Sequence, residues 1–141
     1  MIVTREIDYA LRIVRSLADK QKCTMKDLCA EQDIPRQFAY KIIKKLASAQ
    51  IIKSTRGVNG GCVLVKDLDK FTLFDLINAV DSKKYLSACA DPDFRCEYND
   101  GHNGSCTFHY NLCEIQKTFD ESLKRYTMKD MLSLPKNGQI K

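Results

Sequence analysis

The chain has 141 residues, 44% of them hydrophobic, and a net charge of +5, which is enough for one real core and too little for two independent large domains. No stretch approaches the roughly 18–20 uncharged apolar residues of a membrane-spanning helix, and the opening MIVTREIDYALRIVRSLADK is charged and amphipathic, unlike a secretion signal. The expectation is therefore a cytoplasmic protein without a membrane partner, in a reducing compartment where clustered cysteines serve as metal ligands or redox centres more often than as disulfide staples. The charge is uneven. Residues 1–66 carry 13 Lys and Arg against 6 Asp and Glu, whereas residues 67–141 carry 10 against 12, so the first half is the candidate for a phosphate-rich partner.

In chain order, Ile7, Ala10, Leu11, Val14, Leu17 and Ala18 recur at helical spacing and predict an amphipathic helix, with Arg5, Asp8, Arg12 and Arg15 on its polar side. Thr24 followed by Asp27 has the spacing of a helix start, and the segment DIP ends that short helix. Pro35 suits the first turn of a third helix, with Phe38, Ala39, Ile42, Ile43 and Leu46 on its inner side and Gln37, Tyr40, Lys41 and Lys44 facing out. IIKSTRGVNGGCVLVK then gives two β-prone runs around a Gly- and Asn-rich turn, a hairpin with Arg56 at its tip. Three helices followed by a basic hairpin predict a winged helix-turn-helix, in which the third helix enters the major groove of double-stranded DNA and the hairpin reaches the neighbouring backbone or minor groove. The DNA-facing candidates are Arg36, Gln37, Tyr40, Lys41, Lys44 and Arg56.

FTLFDLINAVD predicts a fourth helix, with Thr72 and Asp75 at its start and Phe74, Leu76, Ile77 and Val80 on its buried side. Further on, Phe108, Leu112, Ile115, Phe119, Leu123 and Tyr126 keep gaps of three or four. They predict one long amphipathic helix whose stripe exceeds what a small core can cover, so two copies should pair through it as a homodimer. The expected organisation is mainly α with a small β-hairpin wing: a winged helix-turn-helix over 1–82, a Cys-rich loop over 83–107, a dimerisation helix over 108–130 and a flexible tail over 131–141.

The loop holds the chemistry. Cys89, Cys96, Cys106, His109 and Cys113 lie within 25 positions, separated by Asp, Asn and Gly residues that favour turns. Soft thiolates on a flexible loop can converge on one ion or cluster. Spacing alone leaves three readings: tetrahedral zinc, without the compact CxxC pairs that mark strong zinc sites; an iron–sulfur cluster with three thiolates and a variable fourth ligand; or a thiol switch forming disulfides on oxidation. Cys23, Cys29 and Cys62, scattered among apolar neighbours, are expected to be small buried hydrophobes.

The start MIVT, the hairpin STRGVNGGCVL, the segment FTLFDLINAVD, the cysteine loop and the end YTMKDML together resemble the dimeric winged-helix regulators typified by IscR and NsrR, over nearly the whole chain. That resemblance implies a transcriptional regulator, usually a repressor, whose DNA affinity follows the state of a 2Fe–2S or 4Fe–4S cluster; some members carry none. By position it puts the three cluster cysteines at Cys89, Cys96 and Cys106. It offers two fourth ligands: His109, as in IscR-like members, or Asp8 of the second subunit, as in NsrR-like ones. The gap from Cys96 to Cys106 is longer than is usual in the family, Cys62 replaces the aromatic that often follows the wing glycines, and Pro35, Arg36, Gln37 and Tyr40 differ from the residues typical of IscR, so the operator is this chain's own. The reading from another class is a protein-interaction or cluster-delivery module whose winged helix binds a partner. A cysteine enzyme would need a general base held by a third group, and only the Cys106/His109 spacing hints at one.

Overall fold

The computed structural model describes residues 4–19, 22–55, 57, 60–81 and 85–133. Helix α1, Arg5–Ala18, starts at Thr4, whose hydroxyl accepts from the Ile7 N–H at 3.5 Å, and it buries Ile7, Ala10, Ile13, Val14 and Leu17. Helix α2, Met25–Gln32, is capped by Thr24 accepting from the Asp27 N–H at 3.2 Å. It ends at Asp33, which adopts the left-handed conformation with φ 51°, one of the few non-glycine residues to do so readily. Helix α3, Arg36–Ser48, follows with Pro35 at its cap and Ala39, Ile42, Ile43 and Leu46 buried.

Strands β1, Ile52–Thr55, and β2, Gly61–Leu64, form an antiparallel hairpin in the register Ile52↔Leu64 to Thr55↔Gly61. Two glycines shape it. Gly57 has φ 110°, and its carbonyl accepts from the Gly60 N–H at 2.9 Å across the turn. A side chain at Gly61 would place its Cβ 2.8 Å from the Cys23 carbonyl oxygen. That close approach lets Cys62 and Cys23 exchange backbone hydrogen bonds of 3.0 and 2.8 Å, which fastens the wing to the segment before α2.

Helix α4, Leu73–Val80, begins with a capping box between Thr72 and Asp75 and buries Leu76, Ile77 and Val80. Phe74, expected on the buried side, is only half-buried and carries the Lys124 ammonium 4.5 Å above its ring. The stretch expected as an irregular loop contains a 3-10 turn, Ala88–Ala90, and a short helix α5, Glu97–Gly101. Helix α6, Thr107–Lys124, comes next. The proposed boundary at residue 82 and Arg56 at the hairpin tip lie outside the described residues.

The expectation of one helix over 108–130 is corrected: α6 stops at Lys124, and a separate helix α7 runs Met128–Leu132. Thr127 and Asp130 form a second capping box, which starts a separate helix. The turn is held from outside. Leu73 N–H donates to Tyr126 O, Met128 N–H to Phe71 O and Lys129 N–H to Leu68 O, at 2.9, 2.9 and 3.0 Å, and the Met128 side chain is buried in the core. Met131 and Leu132, expected in the tail, belong to α7, while residues 134–141 lie outside the described ones.

A charged fork ties α1 to α3. Glu6 accepts from Lys41 at 2.5 Å and from Lys45 at 2.6 Å, and Lys45 also donates to the Val80 carbonyl at the end of α4. The Lys41 hydrogen bond, then that of Lys45, hold the Glu6 carboxyl below its usual range. A carboxyl lowered on folding stabilises the fold at neutral pH, and that stabilisation is lost as the pH falls through the folded-state value. Glu6→Gln is expected to cost about 0.5–1 kcal/mol at pH 7, as for other partly exposed pairs. The cost should vanish in acid, below the ordinary carboxyl range. Equal urea midpoints for variant and parent at pH 7 would show that the fork contributes nothing.

Candidate DNA interface and thiol centre

The inner face of α3 is fixed by the core, so its outer face is presented as a unit. Arg36, Gln37, Tyr40, Lys41 and Lys44 are all exposed there, with Tyr40 at 54%. They are not equivalent. Lys41 is paired to Glu6, whereas Lys44, three positions on along the same face, is exposed. Lys45, absent from the sequence-based set, takes a structural place between Glu6 and Val80. Arg12 and Arg15, read as polar-face residues, clamp the end of α2: they donate to the Gln32 carbonyl at 3.2 Å and to its side-chain oxygen at 2.7 Å. Cations at a helix C-terminus are favourably placed, and the two arginines fasten α1 to the end of α2.

The cysteine positions fall on helix ends. Cys89 lies on the 3-10 turn, and Cys96 and Cys106 stand at the N-cap positions of α5 and α6 without a side-chain capping bond. All three are half-buried free thiols, as is Cys113 on α6. The Cys113 thiol donates to the Cys89 carbonyl at 3.4 Å and lies 3.8 Å from Nε2 of His109, one turn earlier. The other ring nitrogen of His109, Nδ1, is buried without a hydrogen-bond partner. The Cys106 N–H donates to the Asn99 side chain at 3.3 Å, which links the α6 cap to α5. The Cys113 thiol is thus brought against His109 and the Cys89 backbone, and Cys106 is linked to α5, the helix that Cys96 precedes. Asp8 sits on α1, paired to Arg12 at 3.0 Å. Among the described residues no three Cys, His, Asp or Glu side chains are gathered closely enough to hold one metal ion.

The donor set nevertheless has the chemistry of a soft metal or iron–sulfur site: four free thiols beside an imidazole with one buried nitrogen unsatisfied. The remaining cysteines do not belong to it. Cys23 and Cys62 are buried, as expected, while Cys29 is half-buried. Burial, and secondarily the Cys23 thiol, pushes the Cys62 thiol up, and burial pushes up that of Cys29, so both are poor nucleophiles.

One anchoring residue escaped the sequence reading. Gln116 is buried on α6, its oxygen accepting from the Leu86 N–H at 2.8 Å while its amide donates to Asp120 at 2.7 Å. A polar residue at the i+4 position from Leu112, on the inward side of the stripe, was the available signal.

A winged helix-turn-helix carrying a thiol-rich segment ahead of a long, largely uncovered helix defines a DNA-binding transcriptional regulator rather than an enzyme. The chain belongs to the Rrf2 family of iron-dependent transcriptional regulators, whose sequence profile matches residues 3–134. It is 28% identical over 137 residues to an HTH-type transcriptional regulator of Aquifex aeolicus, covering 95% of this chain and 93% of that one. It is 24% identical over 136 residues to the regulator NsrR of Oceanobacillus iheyensis, covering 94% and 90%. In fold it is similar to CymR, the global cysteine regulator of B. subtilis, with a TM-score of 0.66 at 22% identity over 92% of this chain and 95% of that one. Among the described residues no helix is long and apolar enough to cross a membrane.

Replacing Gln116 with Leu would leave the Leu86 N–H without its acceptor, an expected loss of about 1–3 kcal/mol. The measurement is the urea midpoint, and an unchanged value would show that this contact does not hold the loop to α6.

Proposed function

We propose that the protein is a homodimeric, cytoplasmic repressor whose operator affinity is set by a 2Fe–2S or 4Fe–4S cluster reporting redox, nitric oxide or iron status. The observation that carries this reading is the placement of three free, half-buried thiols, Cys89, Cys96 and Cys106, on the segment leading into α6. They would hold the cluster, with His109, Cys113 or Asp8 of the second subunit completing the site. When bound, the cluster supplies an oxidisable, nitric-oxide-reactive group. The chain's own residues supply the coupling. Gln116 ties the start of the loop to α6, and the Leu68–Leu73 backbone ties the end of α6 to the segment leading into α4. Reordering the loop would bias the spacing of the two reading helices. A tenfold change in affinity requires only about 1.4 kcal/mol of differential stabilisation.

The dimer reading rests on α6. Its only fully buried side chain is Gln116; Phe108 is 77% and Ile115 55% exposed, and Leu112, Phe119 and Leu123 are half-covered. An 18-residue helix whose stripe is part exposed and part half-covered is covered economically by a second copy of itself. On this reading the chain divides into a winged helix through α4, a cysteine segment and a dimerisation helix α6.

At the DNA, Gln37 and Tyr40 would read base edges, Arg36 and Lys44 would hold phosphates, Lys41 would join them on release from Glu6, and Arg56 would extend the contact from the wing. The second reading is a cluster-free or zinc-containing thiol switch; its cluster-free form is favoured by the fact that no three donors are gathered among the described residues, whereas zinc would need the same gathering of donors as a cluster.

Iron, sulfide and zinc analysis with an absorption spectrum, on protein purified without oxygen, separates the two. Iron with sulfide in the parent and its loss in Cys96→Ala is the expected result, and zinc alone or no metal would sink the cluster reading. At the operator, Lys44→Ala or Arg56→Ala should weaken binding to every sequence and flatten its salt dependence. Gln37→Ala or Tyr40→Ala should relax specificity at one base pair by about 1–3 kcal/mol. If neither kind of variant alters binding to a selected operator, α3 is not the reader. Light scattering should report a dimer for the parent and a monomer for Ile115→Asp; a dimeric variant would place the interface elsewhere.

A further inference from the structure

We propose that Cys113 is the fourth protein ligand of the cluster and that His109 is a positioning residue donating a hydrogen bond to the Cys113 sulfur, an assignment that rests on the cluster reading above. Cys106, His109 and Cys113 stand at the cap and at the third and seventh positions after it, so they share one side of α6. Of the two later donors, Cys113 is the one that touches the turn carrying Cys89, through the 3.4 Å contact with its carbonyl. The Cys113 sulfur is therefore already packed against the backbone of one of the three cluster cysteines. His109 directs Nε2 at that same sulfur from 3.8 Å.

Donor chemistry points the same way. Iron–sulfur clusters are held mainly by thiolates, and hydrogen bonds to their sulfurs tune the potential. A carboxylate is the harder donor, and that of Asp8 is engaged by Arg12. Seven residues of α-helix also separate Cys106 and Cys113 by about 10 Å along the axis, whereas two thiolates on one zinc ion lie at most about 4.6 Å apart, twice a Zn–S bond. A multi-iron cluster spans such a pair more readily than a single ion does. Cys96 and Cys106 would reach it by movement of the segment between the 3-10 turn and α6, which is anchored mainly by its own short-range hydrogen bonds.

The test is anaerobic reconstitution of the full chain with ferrous iron and sulfide, comparing the parent with Cys113→Ser, His109→Ala, His109→Gln and Asp8→Asn. Readouts are iron and sulfide content, the visible spectrum and the midpoint potential. Cys113→Ser should lose the cluster or change its charge-transfer bands. His109→Ala should keep the iron content and lower the potential, and His109→Gln, which restores an N–H donor, should return it toward the parent value. Footprinting the parent by thiol alkylation and mass spectrometry avoids any dependence on variant folding: Cys89, Cys96, Cys106 and Cys113 should all be protected with the cluster present and modified without it. Parent-like spectrum and iron content in Cys113→Ser, or alkylation of Cys113 in the loaded protein, would overturn the assignment while leaving the cluster in place. Loss of the cluster in His109→Ala or Asp8→Asn alone would transfer the role to that residue. Absence of iron and sulfide from the parent removes the cluster reading and this assignment with it.

Discussion

A chain of this size has one core, and helices α1 to α4 with the base of the wing use it up. Among the described residues every buried apolar side chain lies between Ile7 and Val80 except Met128, which returns to the same cluster. Burying a side chain of that kind is worth about 1.5–3 kcal/mol, and α6 buries none completely. Helix α6 is therefore held in place by the partly buried Leu123 against the core and by directed contacts: Gln116 to Leu86, Lys124 over Phe74, and the turn into α7. The winged helix is thus held by packing, and the cysteine segment between Tyr85 and Cys106 contributes no side chain to that buried cluster.

The parts that the sequence made legible are those with local or periodic signals. The helix starts at Thr24 and Thr72, the inner faces of α1 and α3, and the glycine-punctuated hairpin all carry their physics within a few residues of themselves. The end of α6 carried such a signal too, in Thr127 and Asp130, but Tyr126 extended the apolar period across the break and the periodicity masked the cap. The fork from Glu6 to Lys41 and Lys45 spans 35 and 39 residues, and no spacing rule reaches that far. Tertiary pairing thus turned one expected DNA contact, Lys41, into half of an intramolecular ion pair and gave Lys45 a structural role.

The thiol centre was legible in composition and only partly in arrangement. Residue types and spacing singled out the five donors, while the helix caps now occupied by Cys96 and Cys106 depend on α5, a five-residue helix among turn-forming residues. The contact of Cys113 with Cys89 joins residues 24 apart across a turn. It is a consequence of packing that spacing could not supply, and it separates two neighbouring donors that look interchangeable on a helical wheel.

The return of α7 has a mechanical consequence. Helix α6 is about 27 Å long, eighteen residues at about 1.5 Å each, and its far end is clipped to the Leu68–Leu73 backbone beside a buried Met128. A stiff rod clipped at one end answers a push at the other by pivoting, and the pivot here adjoins the strand of chain that runs from the wing into α4. A small displacement at the Cys106 end would turn the helix about that clip, beside the chain that enters α4, which is the leverage the proposed coupling calls on.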